Sequence, residues 1–228
     1  MPILNRWDLK ISVDDILRAQ GGDPSAIRAR RPLFVEVAEK ALEEGLPLLH
    51  PVVYYRRFDV EKVSHERLYL SGGGKLKGLL VWEHLASASD VIVALATVGT
   101  ELEERATSEM QANLLYGLTL DAVGSAAVER LGKMVCAYFD KFAKLENLQT
   151  SMLINPGMLG WSLQEGQNQI FSLLDADEID IQLQPSGIMS PRKSLSMLIG
   201  LGANLSDDGE PCDYCAMKER CRHRPGNS

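Results

Sequence analysis

No stretch of the 228 residues approaches the roughly 20 consecutive apolar positions that a membrane-spanning helix needs. There is no basic surplus either. Twenty-four Lys and Arg face 31 Asp and Glu, a net charge of −7 with the cations scattered, which argues against duplex nucleic acid as the main partner. Glycine (19) and proline (10) are too few for a collagenous or low-complexity chain, and no internal repeat is visible. The opening MPILNRWDLKISVDD is too polar for a signal peptide, so a cytoplasmic protein is expected. The triple glycine at 72–74 lacks the following GK[ST] of a phosphate loop and reads as a turn. No nucleophile–base pair stands out, which leaves hydrolase chemistry without support. Only four cysteines are present: Cys136 stands alone, and three crowd the last 17 positions.

What is present is an ordinary globular composition, 45% hydrophobic and 24% charged. A chain of this length buries about 70% of its unfolded surface and needs no disulfide or metal to hold its core. Ser12 and the acids after it open a helix over 12–20, which the GGDP at 21–24 ends. A helix follows over 31–44, then strands at 48–58 and 66–71 and a helix at 76–87. The run DVIVALATV at 90–98 reads as a buried strand. Helical periodicity then holds from Glu101 to Asn147, with Thr100 and Glu103 spaced as a capping box. Gly117, Gly124 and Gly132 either admit a close neighbour or break that stretch in two. After Asn155-Pro156-Gly157 come a helix at 163–175 and a hairpin-like pair of strands, 179–184 and 195–202. Helices and strands mixed in this order imply an α+β fold. Residues 1–204 are expected to form one unit and 205–228 a Cys-rich tail. His50 and His84 read as satisfied core or surface histidines, and the acidic run Asp175, Asp177, Glu178 and Asp180 as a solvated face.

The strongest local chemistry lies in that tail: Cys212-x2-Cys215-x5-Cys221, followed by His223. Three thiolates so close can wrap one ion or cluster, and Arg220, Arg222 and Arg224 favour the thiolate form. With His223 the set is three thiolates and one imidazole, a structural zinc set. With a fourth ligand from Cys136, a partner or solvent it is an iron–sulfur site.

Four blocks in order carry a resemblance: TVGTELEE (97–104), DAVGSAAVE (121–129), NPGMLGWSLQEGQNQIFSLL (155–174) and PSGIMSPRKSLSMLIGLG (185–202). Together they resemble the activation, or S-adenosylmethionine-binding, domain of cobalamin-dependent methionine synthase. The likeness is greater still to free-standing forms with a Cys-rich C-terminus. The resemblance covers about 90–202 well and the N-terminal third more loosely. It implies a twisted, largely antiparallel sheet with flanking helices. It also implies a corrinoid protein or cobalamin-dependent methyltransferase as partner, an electron donor, and a role in reductive reactivation. There, methyl transfer from S-adenosylmethionine traps the scarce reduced cobalt, because an unfavourable reduction must be pulled by a following step.

Carried onto this chain, the resemblance lines the ligand groove with Asn155, Pro156, Gly157, Met158, Gly160 and Trp161 on one wall. Ser186, Gly187, Met189, Ser190, Pro191 and Arg192 form the other. Asp121 and Glu129 border it, where they would meet the ligand's ammonium. The family loop Arg-x-x-Pro-Gly-Tyr has Leu153 and Met158 here in place of Arg and Tyr. The arginine's grip on the ligand carboxylate is worth ~1.5–3 kcal/mol, so Arg192 or Lys193 becomes the candidate substitute. Two further roles stay open: a non-catalytic corrinoid-protein-binding module that has lost S-adenosylmethionine, with a metal-stapled tail, and a stand-alone small-molecule methyltransferase.

Overall fold

A computed structural model describes residues 2–205, 211–215 and 218. In chain order the elements are β1 (Ile3–Leu4), α1 (Val13–Ala19), α2 (Pro24–Arg30), α3 (Pro32–Gly45), β2 (Val52–Val63), β3 (Arg67–Leu70), β4 (Gly74–Lys77), α4 (Leu79–Leu85) and β5 (Asp90–Thr97). Then follow α5 (Glu101–Ala112), α6 (Leu114–Leu145), β6 (Gln149–Thr150), α7 (Leu163–Leu173), β7 (Gln182–Leu183), β8 (Met189–Ser190) and β9 (Ser194–Gly202). The fold is α+β, with a curled antiparallel sheet in the order β4-β3-β2-β5-β9-β6 and β1 on β2.

Strand β5 lies at the centre, buried on both faces along all eight residues, as its nearly continuous apolar run requires. On one face Val91, Val93 and Leu95 join Tyr54, Phe58 and Leu198 under α4 and α7. On the other, Ile92, Ala94 and Ala96 join Met197 and Ile199 under the α6 stripe Ala127, Leu131, Val135 and Phe139. A third cluster ties α1 and α3 to the first half of α6 through Ile16, Leu17, Ala38, Ala41, Leu120 and Val123.

The elements depart from the sequence reading at several points, each with a local cause. The GGDP stretch does end α1, which stops at Ala19 ahead of Gly21 (φ 79°), but Asp23-Pro24 also starts a second helix within it: the Asp23 carboxylate accepts from the Ala26 amide at 2.6 Å, and Pro24 sits where an amide is dispensable. The expected helix at 76–87 begins only at Leu79, because Gly74–Lys77 pairs with β3 as a strand. The long helical stretch breaks at Asn113, which caps α6 by accepting from Tyr116 N–H, and not at a glycine. Gly117 serves the close approach of α5, since a Cβ there would lie 2.5 Å from Met110 N. The segments 179–184 and 195–202 do not pair with each other. β7 forms a two-residue ladder with β8, while β9 lies between β5 and β6.

The capping box at Thr100 is also absent. Thr100 has helical φ and ψ, and its side chain makes no cap bond. The Glu103 carboxylate instead accepts from the backbone N–H of Arg192 at 2.8 Å.

Candidate functional site

The Pro-Gly loop is built on hydrogen bonds that its residue types dictate. Asn155 donates its side-chain amide to Ser196 O at 2.8 Å, fixing the loop to β9. Within the loop Gly157 N–H donates to Trp161 O, and Trp161 N–H to Met158 O. Gly157 (φ 96°) and Gly160 (φ 87°) lie in the left-handed region that a side chain resists. Trp161 then plugs the loop into the core. Its indole is 1% exposed and wedged between Gly78 and Gly166, where a Cβ would come within 2.6 and 2.9 Å of the ring. The indole therefore faces inward, and Trp161 anchors the wall of the groove without lining it.

The second wall is the turn of Ser186, Gly187 and Ile188, closed by Gly187 N–H to Gln184 O at 2.9 Å, with Gly187 at φ 81°. Met189 and Ser190 form β8, and a cis Ser190–Pro191 bond leads to Arg192. Both walls meet at the N-terminus of α7. A Cβ on Gly157 would touch Leu163 at 3.8 Å, and one on Gly187 would touch Gln164 Oε1 at 3.2 Å. Loop and turn, far apart in sequence, thus face one another across the start of one helix. Their rim is apolar and exposed: Leu159 56%, Leu163 41% and Ile188 54%.

The charged candidates are arranged differently. Asp121 holds Lys193 Nζ at 2.8 Å, and the same ammonium donates to Ser125 Oγ at 2.9 Å. Lys193 is thereby neutralised within the protein. Glu129 pairs with Lys133 at 2.6 Å on the exposed side of α6, one helical turn apart. Arg192 is exposed, with its backbone fixed by Glu103 and its guanidinium free of ion pairs among the described residues. Leu153 packs into the apolar cluster under α6. Glu103, Lys193 and Leu163 shape the site in ways that the motif reading alone did not show. In the sequence Glu103 drew notice only through its spacing from Thr100, which pointed to a cap, and Lys193 only as a possible carboxylate ligand, whereas Leu163 drew none.

The tail reaches this region. Cys215 makes an antiparallel bridge with Met158, and Leu159 N–H donates to Tyr214 O at 2.8 Å. Tyr214 packs against the α4–α7 side of the core and sets its ring edge-on to His84 at 4.9 Å. Cys221, His223 and the Cys212 side chain lie outside the described residues, among which no group of three potential metal ligands occurs. Cys136 belongs to the α6 side, across the sheet from Tyr214. Burial pushes its thiol up to about 11, and the sheet separates it from Tyr214 and the described part of the tail. His50 meets Glu101 at 3.2 Å on the surface. No helix among the described residues is long and apolar enough to cross a membrane.

With this geometry in hand, comparison with solved structures finds a close likeness in fold. The crystal structure of the MetH reactivation domain bound to AdoHcy superimposes with a TM-score of 0.68 over 94% of this chain and 83% of that one, at 14% identity. The fold is that of the MetH reactivation domain. No family model matches the chain, and no curated protein matches it. The likeness therefore lies in the path of the backbone, and the reactivation-domain fold is where the loop, the turn and α7 are brought together.

Proposed function

We propose that this protein is a partner of a corrinoid protein or cobalamin-dependent methyltransferase, and that it assists reductive reactivation by presenting S-adenosylmethionine to the cobalt. The observation that carries the reading is the meeting of the Pro-Gly loop and the Gly187 turn at the start of α7, in a fold shared with a domain solved with AdoHcy. Pro156, Gly157 and Met158 line one side of the groove, with Gly160 and Trp161 fixing their path. Ser186, Gly187, Met189, Ser190 and Pro191 line the other. Arg192, whose backbone is held by Glu103, turns its guanidinium to the ligand carboxylate in place of the family arginine. Asp121 and Glu129 lie along α6 already paired with Lys193 and Lys133, so they would meet the ligand's ammonium as members of ion pairs and not as free carboxylates. The apolar rim of Leu159, Leu163 and Ile188 gives a partner a surface to cover. When a reduced corrinoid is seated there, its cobalt supplies the electron pair and the sulfonium the methyl group. The chain's own residues hold and orient the sulfonium and keep water from it.

The tail belongs to the same reading: Cys212, Cys215 and Cys221, with His223 as the tail's own nitrogen, hold zinc or an iron–sulfur cluster beside the groove. A cluster there would pass an electron, whereas zinc would staple the tail. One observation favours a second reading, a binding module that docks on the corrinoid protein without S-adenosylmethionine. Leu153 is apolar and packed, and Lys193 is already neutralised, so of the two candidate substitutes Arg192 alone is left to meet a carboxylate.

The test common to both readings is association. Anaerobic gel filtration of the chain with a purified corrinoid protein, with cobalt oxidised and then reduced, is expected to give a complex in at least one state. Separate elution in both states would overturn the assignment.

A further inference from the structure

The three strands at the β4 edge of the sheet carry charge of the opposite sign to the chain. Residues 52–77 hold six Lys and Arg against three Asp and Glu, in a protein whose net charge is −7. Register puts Lys62, Arg67, Lys75 and Lys77 on one side of these strands, around Tyr69. Lys62 pairs with Tyr69, Tyr69 with Lys75, and Arg67 with Lys77, and paired residues of antiparallel strands project together. The alternate residues Leu68, Leu70 and Leu76 fill the core on the other side. Lys62 and Lys75 both approach the Tyr69 ring, at 5.9 and 5.6 Å from its centroid. Among the described residues Lys62, Arg67 and Lys75 form no ion pair, Lys77 meets Glu165 at 3.5 Å, and the buried Nε of Arg67 has no hydrogen-bond partner.

Beside this face a groove of about 320 Å³ runs between the edge of β4 and α7. Gln169 sets its width: its side-chain amide accepts from Lys77 N–H at 2.7 Å and donates to Lys77 O at 3.0 Å. Lys75 and Lys77 form one bank, Asn168 and Ser172 the other, with Glu165 toward one end. We propose that this groove and the adjoining cationic face dock an extended, acidic segment of a partner protein, its carboxylates against Lys75 and Lys77, with Lys62 and Arg67 continuing the contact. Charge complementarity carries the assignment, because these cations have almost no carboxylate of their own to meet. The spacing agrees. Alternate residues of an extended chain recur about every 6.8 Å, and Lys75 and Lys77 are themselves alternate residues of a strand. A nucleic-acid strand fits less well, since Tyr69 already holds two ammonium groups against its ring and is not free to stack on a base. The proposal does not rest on the S-adenosylmethionine reading: none of its residues belongs to the Pro-Gly loop or the Gly187 turn.

The experiment is fluorescence anisotropy of a labelled hexaglutamate peptide titrated with the full chain at about 20 mM salt. The wild type is expected to bind it saturably, and about tenfold more weakly at ~150 mM salt. Reversing two charges on the face, Lys62→Glu with Lys75→Glu, is expected to weaken binding at least about tenfold. The charge-matched control Lys10→Glu with Lys133→Glu, at exposed positions on other elements, is expected to change it less than about twofold. Asn168→Asp adds a negative charge to the exposed α7 bank; it is expected to weaken binding about threefold with Tm unchanged, which separates loss of the site from loss of the fold. Absence of saturable binding by the wild type, or an equal loss in the two double variants, would overturn the proposal. Decathymidylate and inorganic polyphosphate serve as competitors. Displacement of the peptide by either at lower concentration than unlabelled hexaglutamate would assign the groove to a phosphate polymer and overturn the acidic-protein assignment.

Discussion

At the scale of single residues, the charges near the sheet decide more than their number suggests. Asp90, 8% exposed, accepts from Arg57 Nε at 2.7 Å and from Ser89 Oγ, while Arg57 also grips Glu146 with its other arm. Burial alone would raise the Asp90 carboxyl, but the hydrogen bonds from Arg57 and Ser89 outweigh it and hold the group below the usual carboxylate range. A folded-state pKa below the unfolded one means that the stabilisation is whole above about pH 4 and fades as pH falls toward the lowered value. Asp90→Asn is therefore expected to cost about 2 kcal/mol at pH 7 and to flatten the acid limb of stability below about pH 4. Urea melts at several pH values check this; an acid limb as steep as wild type would contradict it. The same scale governs the ligand site. A sequence motif names Asp121 and Lys193 separately, but only the packed structure reveals that they face each other.

At the scale of elements, the chain was legible wherever local chemistry and tertiary packing agree. Ser12 caps α1 in a reciprocal box with Asp15, as its residue types require, and β5 is buried along its whole length. The sequence misled where one residue type serves two purposes. Asp23-Pro24 both ends and begins helices, and Thr100 with Glu103 has the spacing of a cap while Glu103 is claimed by Arg192. β4 hid behind its length. Four residues are too few for a pattern to be read unaided, and part of its edge is filled by Gln169, whose amide pairs with both N–H and C=O of Lys77. The glycines of α6 carried the information that a neighbour comes close, though not which element it would be. Gly117→Ala puts a methyl group against Met110 backbone, which cannot swing away as a side chain would. The expected loss is about 2 kcal/mol, a fall in Tm of roughly 4–8 °C by calorimetry, whereas an unchanged Tm would mean that α5 and α6 are not apposed there.

At the scale of the whole molecule, the resemblance carried by four sequence blocks and the superposition with the MetH reactivation domain agree on the fold, at an identity of only 14%. That agreement has a physical reason. The blocks are the places where backbone shape is demanded: left-handed glycines at 157, 160 and 187 and the small residues that let α6 approach its neighbours. The side chains proposed to meet a ligand are under no such demand, so Leu153, at the position where the domain resembled in sequence has arginine, packs into the apolar cluster under α6. Fold and function are thus encoded in different residues, and the account depends on whether the groove still takes its ligand. Isothermal calorimetry of S-adenosylmethionine with the anaerobically purified chain addresses this most directly. Saturable binding with a micromolar Kd is predicted; no heat at millimolar ligand would contradict the claim that this chain presents S-adenosylmethionine to a corrinoid partner.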